Sequence, residues 1–130
     1  MPIPDEVNVL KPLDVAALPY EHVHIPFTGA DIAMKMLHAD TETGMTVQLV
    51  TYPAGFTNVW HKHPCGHGMF VLEGTLRTHQ GDYPQGTFVW FDEGGYMEHG
   101  ATATQDVSVL FITNKEFGIC YYGEDCSTAP

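Results

Sequence analysis

The sequence predicts an all-β domain, because short strand-forming runs alternate with turn residues and almost no stretch supports a helix. Gly or Pro interrupts nearly every window long enough to show the 3.6-residue apolar period of a helix. The remaining runs are rich in β-branched and aromatic residues, and turn pairs such as Thr43-Gly44 and Glu73-Gly74 separate them at regular intervals. This spacing is typical of a sandwich or a small barrel.

The predicted strands are short and follow one another along most of the chain. They cover residues 23–27, 33–38, 45–52, 69–72, 75–79, 87–91 and 107–113. One short helix is predicted over residues 13–18, because Pro12 and Pro19 bound it on both sides. The tail over residues 123–130 is expected to fray.

The size of the chain fits one domain. It has 130 residues, of which 44% are hydrophobic and 12% aromatic, so disorder is not expected despite a formal net charge of -11. A chain this long buries a core without disulfides or a structural metal, so a metal site in it need not be structural. We predict a single domain over residues 1–130, with residues 1–21 as a short N-terminal extension.

Charge and hydropathy exclude several partners and locations. Five Lys and Arg against 16 Asp and Glu leave no basic cluster for nucleic acid or anionic lipid. Neither a secretory leader nor an apolar run of about 18 residues is present, so no membrane contact and a cytoplasmic location are expected. The odd number of cysteines, at positions 65, 120 and 126, predicts free thiols in a reducing compartment.

A cluster of histidines carries the chemistry of this sequence. His61 and His63 lie two residues apart, and on a strand such residues face the same side, so both imidazoles can reach one ion. His67 lies between Gly66 and Gly68, and these glycines with Pro64 predict a tight turn that returns it to the same point and leaves its backbone the least constrained of the predicted ligands. His99, just past a Glu-Gly-Gly turn, is the best candidate for a fourth ligand. We therefore predict one divalent metal held by His61, His63, His67 and His99.

Other polar residues near these ligands are weaker candidates. Cys65 could be a soft ligand, but the turn around it is expected to point it away. Glu98 should face the opposite side of the strand from His99, and Glu73 is expected to be solvated. Arg77 could hold a substrate carboxylate, with an exposed strand position as the alternative. The remaining histidines have no neighbour at chelating spacing and are not expected to bind metal; they are His22, His24, His38 and His79.

Aromatic and methionine side chains flank the predicted ligands and could line an apolar cavity, although strand alternation turns only some of them inward. They are Trp60, Phe70, Trp90, Phe91, Tyr96 and Met97. Core packing is the alternative role for each of them.

Residues 45–113 resemble the cupin superfamily. Its first motif, G-x5-H-x-H-x3 or 4-E-x6-G, is matched in register by Gly55, His61, His63 and Gly74. His67 stands where the motif has Glu. The second motif, roughly G-x5-P-x-G-x2-H, is matched in order by Gly81, Pro84, Gly86 and His99, with a longer spacing before His99.

Within this superfamily, residues 63–74 and 81–87 are similar to the cupin-like domain of ChrR-type anti-sigma factors. Acetylacetone-cleaving dioxygenases and small four-histidine manganese cupins belong to the same group. The resemblance implies a double-stranded β-helix, the jelly-roll barrel of cupins, with the metal ligands pointing into its mouth. It also implies a homodimer built by exchanging or pairing N-terminal strands.

The ligand set indicates what the site could do. Four neutral imidazoles leave the full charge on the metal, and in an octahedral site they leave two adjacent positions for a chelating enolate. Imidazole suits Fe(II), Zn and Ni, while Mn prefers oxygen ligands, so Fe(II) ranks first for an enzyme and Zn for a sensor. A 1,3-diketone or an α-hydroxyketone is the expected small-molecule substrate.

Two functions from different classes follow. The first is a non-haem Fe(II) dioxygenase that cleaves a carbon-carbon bond in a small chelating ketone. The second is a non-catalytic metal-binding sensor or ligand-binding cupin, and isomerase or lyase chemistry is a further alternative. Residues 1–44 contain predicted strands and no Cys, unlike the zinc-binding helical segment of an anti-sigma factor, which favours the enzyme. The sequence assigns no catalytic residue beyond the metal ligands.

Overall fold

A computed structural model describes residues 2–26 and 28–127, and it confirms the all-β prediction. The helical content of the described residues is one 3-10 turn at Val15–Ala17, within the predicted helix. The strands are β1 Glu21–Ile25, β2 Ala30–Ala39, β3 Thr46–Tyr52, β4 Thr57–Lys62, β5 His67–Glu73, β6 Thr75–Thr78, β7 Gly81–Pro84, β8 Phe88–Phe91, β9 Met97–Ala101, β10 Val107–Thr113 and β11 Cys120–Tyr121.

The strands form two antiparallel sheets. One sheet has six strands in the order β1-β2-β3-β10-β5-β8, and the other has five in the order β11-β4-β9-β6-β7. The chain forms β1, β2 and β3 in the first sheet and from there alternates between the sheets, except that β6 and β7 are neighbours in the second, as the resemblance to cupin jelly rolls implies. Among the described residues, no helix is long and apolar enough to cross a membrane.

The core lies between the sheets and follows from strand alternation. On β10, burial alternates along the strand, so Val107, Val109 and Phe111 face inward while Ser108 and Leu110 lie between them. β3 supplies Val50 and Tyr52 from the same sheet, and Phe56 joins the core just before β4. Other strands complete it with Met69, Val71, Leu76, Phe91, Met97 and Ala101. Two inward faces pack together here, as in other β-sandwich interiors.

Each predicted strand overlaps an observed one, but four strands were not predicted as such. The first predicted strand was placed over residues 23–27, whereas β1 is Glu21–Ile25, and position 27 lies outside the described residues. β4 and β9 contain turn-forming or polar residues and so lack a clear strand pattern. Extended backbone was nevertheless expected around His61 and His99. β7 and β11 are only short pairings, and β7 begins at Gly81-Asp82, a pair of residues that is typical of turns.

The prediction of free thiols is wrong for two of the three cysteines. Cys120 and Cys126 form a disulfide with their Cα atoms 6.1 Å apart, and Cys65 is free and buried. Gly123, at a φ of +95°, turns the chain between the paired residues. The described part of the tail is therefore fastened rather than frayed, and positions 128–130 lie outside the described residues. Because disulfides are rare in reducing compartments, the cysteines no longer support a cytoplasmic location.

Candidate metal centre

Two neighbouring strands bring the first histidines together. His61 lies on β4 and His99 on β9, and these strands pair in antiparallel fashion in the second sheet. The Nε2 atoms of the two rings are 3.1 Å apart. His63 lies just beyond the end of β4, with its ring centroid 4.9 Å from that of His61. One ring nitrogen from each of His61, His63 and His99 lies within 4.8 Å of the other two, so the group could hold a metal ion.

Gly100 explains how β4 and β9 approach so closely. A Cβ atom at this position would lie 1.9 Å from the carbonyl oxygen of Phe56. That oxygen accepts a hydrogen bond from the backbone N–H of Ala101 at 2.9 Å. Only glycine therefore leaves room for the pairing that places His99 beside His61.

His67 is held differently from the three clustered histidines. It begins β5, and its ring stacks between Phe91, with centroids 4.6 Å apart, and Phe111, with centroids 4.8 Å apart. Its centroid lies 4.9 Å from that of His63 and 6.3 Å from that of His99. The tight turn predicted before it therefore returns it to the site, although it is outside the 4.8 Å group.

The expectation that His67 has the least constrained backbone of the four histidines is wrong. His67 pairs with Thr113 on one side and with Phe91 on the other, in the interior of a sheet. The flanking glycines serve packing, because a Cβ at Gly66 would meet the Trp90 ring at 2.6 Å and one at Gly68 would meet the Phe88 ring at 2.5 Å. The ring and the backbone of His67 are thus both fixed.

Burial keeps all four histidines neutral near pH 7. Each is at most 3% exposed. Desolvation lowers the pKa of His61 to about 4 and that of His67 to about 3. The same cause lowers the pKa of His63, and it lowers that of His99 well below the ordinary value. A neutral imidazole is the form that binds a metal, so the site is set for ligation without first losing protons.

Backbone carbonyls fix which nitrogen of two rings is available. His61 Nδ1–H donates to the carbonyl of Val59 at 2.6 Å, and His63 Nδ1–H donates to the carbonyl of Gly118 at 2.6 Å. Each Nε2 is therefore bare, and in the metal-free protein that of His61 accepts from His99 Nε2–H. Hydrogen bonds of this kind commonly orient metal-binding histidines.

Unpartnered nitrogens indicate that the site suits a metal. Within the described part of the chain, the buried nitrogens without a hydrogen bond are His63 Nε2, both nitrogens of His67 and His99 Nδ1. Leaving a buried polar atom unpaired costs about 1–3 kcal/mol, so a ligand that satisfies it stabilises the site. An all-nitrogen donor set fits a borderline transition metal such as Fe(II), Zn or Ni.

A cavity of about 280 Å³ opens beside the histidines, and we call it the inner cavity. His63 and His99 form part of its wall, together with the inner face of β3. Apolar and aromatic side chains make up most of the rest: Val23, Ile25, Pro26, Ile32, Met34, Val50, Tyr52, Phe111, Phe117, Ile119 and Tyr121. Polar atoms come from Gln48, Asn58 and His24.

A second and larger depression of about 830 Å³, the outer groove, lies on the other side of residues 117–119. It shares His63, Phe117 and Ile119 with the inner cavity. Charged side chains border it, namely Lys62, Glu93, Lys115, Glu116, Glu124 and Asp125. Only one clustered histidine reaches this groove, so the chemistry of the site belongs to the smaller inner cavity.

The structure also places the weaker candidates. Cys65 is fully buried but is not in the three-histidine group. Glu98 lies between the buried Met97 and His99 and is more exposed than either, as strand alternation predicted, and Glu73 is exposed. Arg77 is exposed, with Asp82 at 3.9 Å, so it occupies the exposed strand position given as the alternative.

Of the flanking aromatic and methionine side chains, two turn inward and four outward. Phe91 and Met97 are buried in the core. The exposed ones are Trp60, Phe70, Trp90 and Tyr96. Two further aromatic residues at the site were not predicted. Phe111 could have been found from the alternation on β10, whereas Phe117 lies in an irregular segment without a periodic signal.

The other histidines are exposed and lie away from the three-histidine group. His24 is at the rim of the inner cavity, where its Nδ1 pairs with Asp31 at 2.8 Å. His79 contacts the ring of Trp60, with centroids 5.3 Å apart. His22 and His38 are solvent-exposed strand residues.

Fold and site together define a cupin with a histidine-rich centre. Residues 14–117 match the family described as the ChrR Cupin-like domain, and the chain belongs to that family. No curated protein sequence matches it significantly.

Solved structures share this fold at low sequence identity. An RmlC-like cupin from Ralstonia eutropha is 19% identical with a TM-score of 0.75, over 88% of this chain and 74% of that one. A candidate acetylacetone dioxygenase from Methylibium petroleiphilum is 13% identical with a TM-score of 0.68, over 87% of this chain and 81% of that one. A chain in the complex of SigE with the anti-sigma ChrR from Rhodobacter sphaeroides is 18% identical with a TM-score of 0.60, over 76% of this chain and 51% of that one.

Proposed function

We propose that this chain is a single cupin domain that acts as a non-haem Fe(II) dioxygenase, cleaving a carbon-carbon bond in a small 1,3-diketone or hydroxyketone. The observation that carries the proposal is a group of neutral, buried histidines beside an apolar cavity. Such a combination of metal ligands and a water-poor cavity is what a chelating organic substrate requires.

The metal, when bound, supplies Lewis-acid charge that favours the enolate form of a chelating ketone. His61, His63 and His99 hold it, and no carboxylate among them reduces its charge. The carbonyls of Val59 and Gly118 keep two of the rings in the metal-binding tautomer. Zn, Mn and Ni are alternatives to iron that the same ligands would accept.

His67 is proposed as the fourth ligand. Both of its ring nitrogens are buried without a partner, and its ring lies beside that of His63. The stacked rings of Phe91 and Phe111 hold the His67 ring in this position.

The walls of the inner cavity exclude water and orient the ligand. Phe111 and Phe117 contact each other with ring centroids 6.0 Å apart, and Phe117 also lies against His63. Hydrophobic walls of this kind strengthen every charge interaction inside the cavity. The fold shared with a candidate acetylacetone dioxygenase is consistent with this chemistry.

A non-catalytic metal sensor is the second candidate, and the family match favours it. Residues 14–117 match a domain named after the anti-sigma factor ChrR. In this case Zn is the proposed metal, and the inner cavity would bind a ligand without converting it. The two candidates differ in oxygen consumption.

A cytoplasmic homodimer is proposed as the working form of the protein. β1 is an edge strand of the six-stranded sheet, so one side of it is free to pair with a second copy. Sedimentation equilibrium gives the oligomeric state directly, and a monomer at all concentrations would contradict this part of the proposal.

Metal analysis of protein purified without chelator, followed by anaerobic Fe(II) loading, tests the enzymatic proposal. Adding a 1,3-diketone should produce a charge-transfer absorption band, and admitting air should bleach it while about one dioxygen is consumed per substrate. A protein that binds iron but shows neither the band nor oxygen uptake with diketones and hydroxyketones is the sensor instead.

A further inference from the structure

We infer that the inner cavity selects ligands whose substituents are uncharged, and that it rejects ligands carrying a carboxylate away from the chelating atoms. This inference names the substrate class of the proposed function and rests on it. It depends on where the cations of this protein lie, and each of them can be located.

The wall of the inner cavity has no Lys, Arg, Asp or Glu among the described residues. Its polar groups are neutral amides, phenols and imidazoles. His24 is at the rim, where its Nδ1 lies 2.8 Å from a carboxylate oxygen of Asp31. A carboxylate in this cavity would have no counter-charge except the metal itself, and burying an unpaired charge is strongly unfavourable.

The cations that could serve an acidic substrate are all elsewhere. The chain has only five Lys and Arg. Lys35 is buried on β2, where its Nζ donates to the carbonyl of Val15 at 2.8 Å and lies over the Tyr20 ring. Lys62 lies over the ring of Tyr96, on the side of the outer groove.

The remaining cations are equally remote from the inner cavity. Lys115 pairs with Glu93 at the outer groove, and Arg77 is exposed beside Asp82. Lys11 lies in the exposed N-terminal segment. The net charge of -11 adds a field that repels anions as they approach.

The shape of the cavity completes the description of the ligand. Its volume of about 280 Å³ is at the low end for small-molecule sites, so the ligand is small. Gln48 and Tyr52 lie on the same face of β3 as Val50, and they offer hydrogen-bonding groups beside aliphatic surface. A ketone with short aliphatic or aryl substituents fits this lining, whereas a dicarboxylate or a sugar acid does not.

Two diketones with the same chelating head test the inference. Heptane-2,4-dione ends in a methyl group, and 4,6-dioxoheptanoate has a carboxylate at the corresponding position of the same chain. Binding to Co²⁺-loaded protein is measured without oxygen, by calorimetry and by the change in the cobalt visible spectrum. The neutral diketone should bind at least about 100-fold more tightly than the acid.

Met34 and Met36 provide a matched pair of variants on β2. Met34 lines the inner cavity, whereas Met36 is exposed and does not. Met34→Lys places a cation in the cavity and should narrow the preference to less than about tenfold. Met36→Lys adds the same charge outside and should leave the preference within about threefold of its original value. Because the preference is measured first in the unchanged protein, the test does not depend on the folding of either variant.

The outcomes separate this inference from the proposed function. Equal affinity for the two diketones, or no binding of either, overturns the inference. Equal effects of Met34→Lys and Met36→Lys also overturn it, because the preference would then reflect overall charge. A strong preference without oxygen uptake by the Fe(II) protein supports the inference and contradicts the dioxygenase.

Discussion

The inner cavity and the outer groove share a wall but differ in charge. His63, Phe117 and Ile119 border both. The groove is the larger of the two and is lined by lysines and carboxylates. Neither kind of residue occurs in the described wall of the cavity, which contains His99 as well as His63. The candidate site is therefore identified by its neutral lining and clustered ring nitrogens, and not by its size.

The uncharged lining of the inner cavity affects how strongly a bound metal would act on its ligand. Nearby carboxylates would offset the charge of a metal, and nearby cations would weaken its binding. The described residues of the cavity wall include neither, so an ion bound there would keep its full charge for its ligand. The groove, with its mixed and exposed charges, is screened by water and salt.

The largest effect should come from adding a side-chain atom where β4 and β9 approach each other. Gly100→Ala places a Cβ against the carbonyl of Phe56, so β9 must move and His99 with it. We expect a loss of about 3 kcal/mol in the free energy of unfolding, measured with urea, together with weaker metal binding. Gly95→Ala, near the outer groove and with no atom within 4 Å of the new Cβ, is the control and should change stability by less than about 0.5 kcal/mol.

Acid should destabilise the metal-free protein because its buried histidines resist protonation in the folded state. The pKa of His61 is lowered to about 4 and that of His67 to about 3, whereas an unfolded histidine titrates near 6.5. Below about pH 6.5 the unfolded chain binds protons that the folded chain does not, so the stability present above that pH is progressively lost. The loss is up to about 1.4 kcal/mol per pH unit for each neutral histidine, until the folded site itself protonates.

Urea unfolding of the metal-free protein at about pH 7.5 and about pH 5 measures this slope. A stability independent of pH in this range would contradict the burial of neutral histidines.

His67 tests how far the site tolerates a change of ligand. His67→Glu restores the commoner cupin set and lowers the charge of the site by one, so metal should be retained within about tenfold of its original affinity. Loss of metal with an unchanged circular dichroism spectrum would show that His67 is not directed at the ion. A His67→Ala variant that still binds iron and turns over would show that His61, His63 and His99 suffice.

The smallest effect is expected in the outer groove. Lys115→Ala removes a surface ion pair with Glu93, and both partners are about half exposed. Such pairs contribute little, so stability should change by less than about 0.5 kcal/mol, with metal content unaltered. A marked loss of metal in this variant would contradict this expectation and show that the outer groove contributes to metal binding.

The sequence predicted the parts of the site that depend on local geometry. The two-residue spacing of His61 and His63 determines that both face one side, and this holds because β4 is extended. His99 was predicted from a motif whose residues match in order but with a longer spacing before the histidine. Its position depends on the pairing of β4 with β9, which sequence spacing alone does not specify.

What the sequence did not predict depends on contacts between distant segments. The stacking of His67 between Phe91 and Phe111 requires three strands of one sheet to be in register. The wall made by Phe117 comes from irregular chain with no periodic pattern. The Cys120–Cys126 disulfide depends on a local turn that brings the two residues together. It was not predicted because an odd number of cysteines favoured free thiols.

The metal content of a double variant tests the central claim most directly. Plasma mass spectrometry should find about one divalent metal per chain in the original protein and almost none after His61→Ala and His63→Ala are combined. The matched control combines His22→Ala and His24→Ala, which have the same spacing on the exposed β1 and should retain the metal. Metal that stays near one per chain in the His61 and His63 double variant would contradict the assignment of the site.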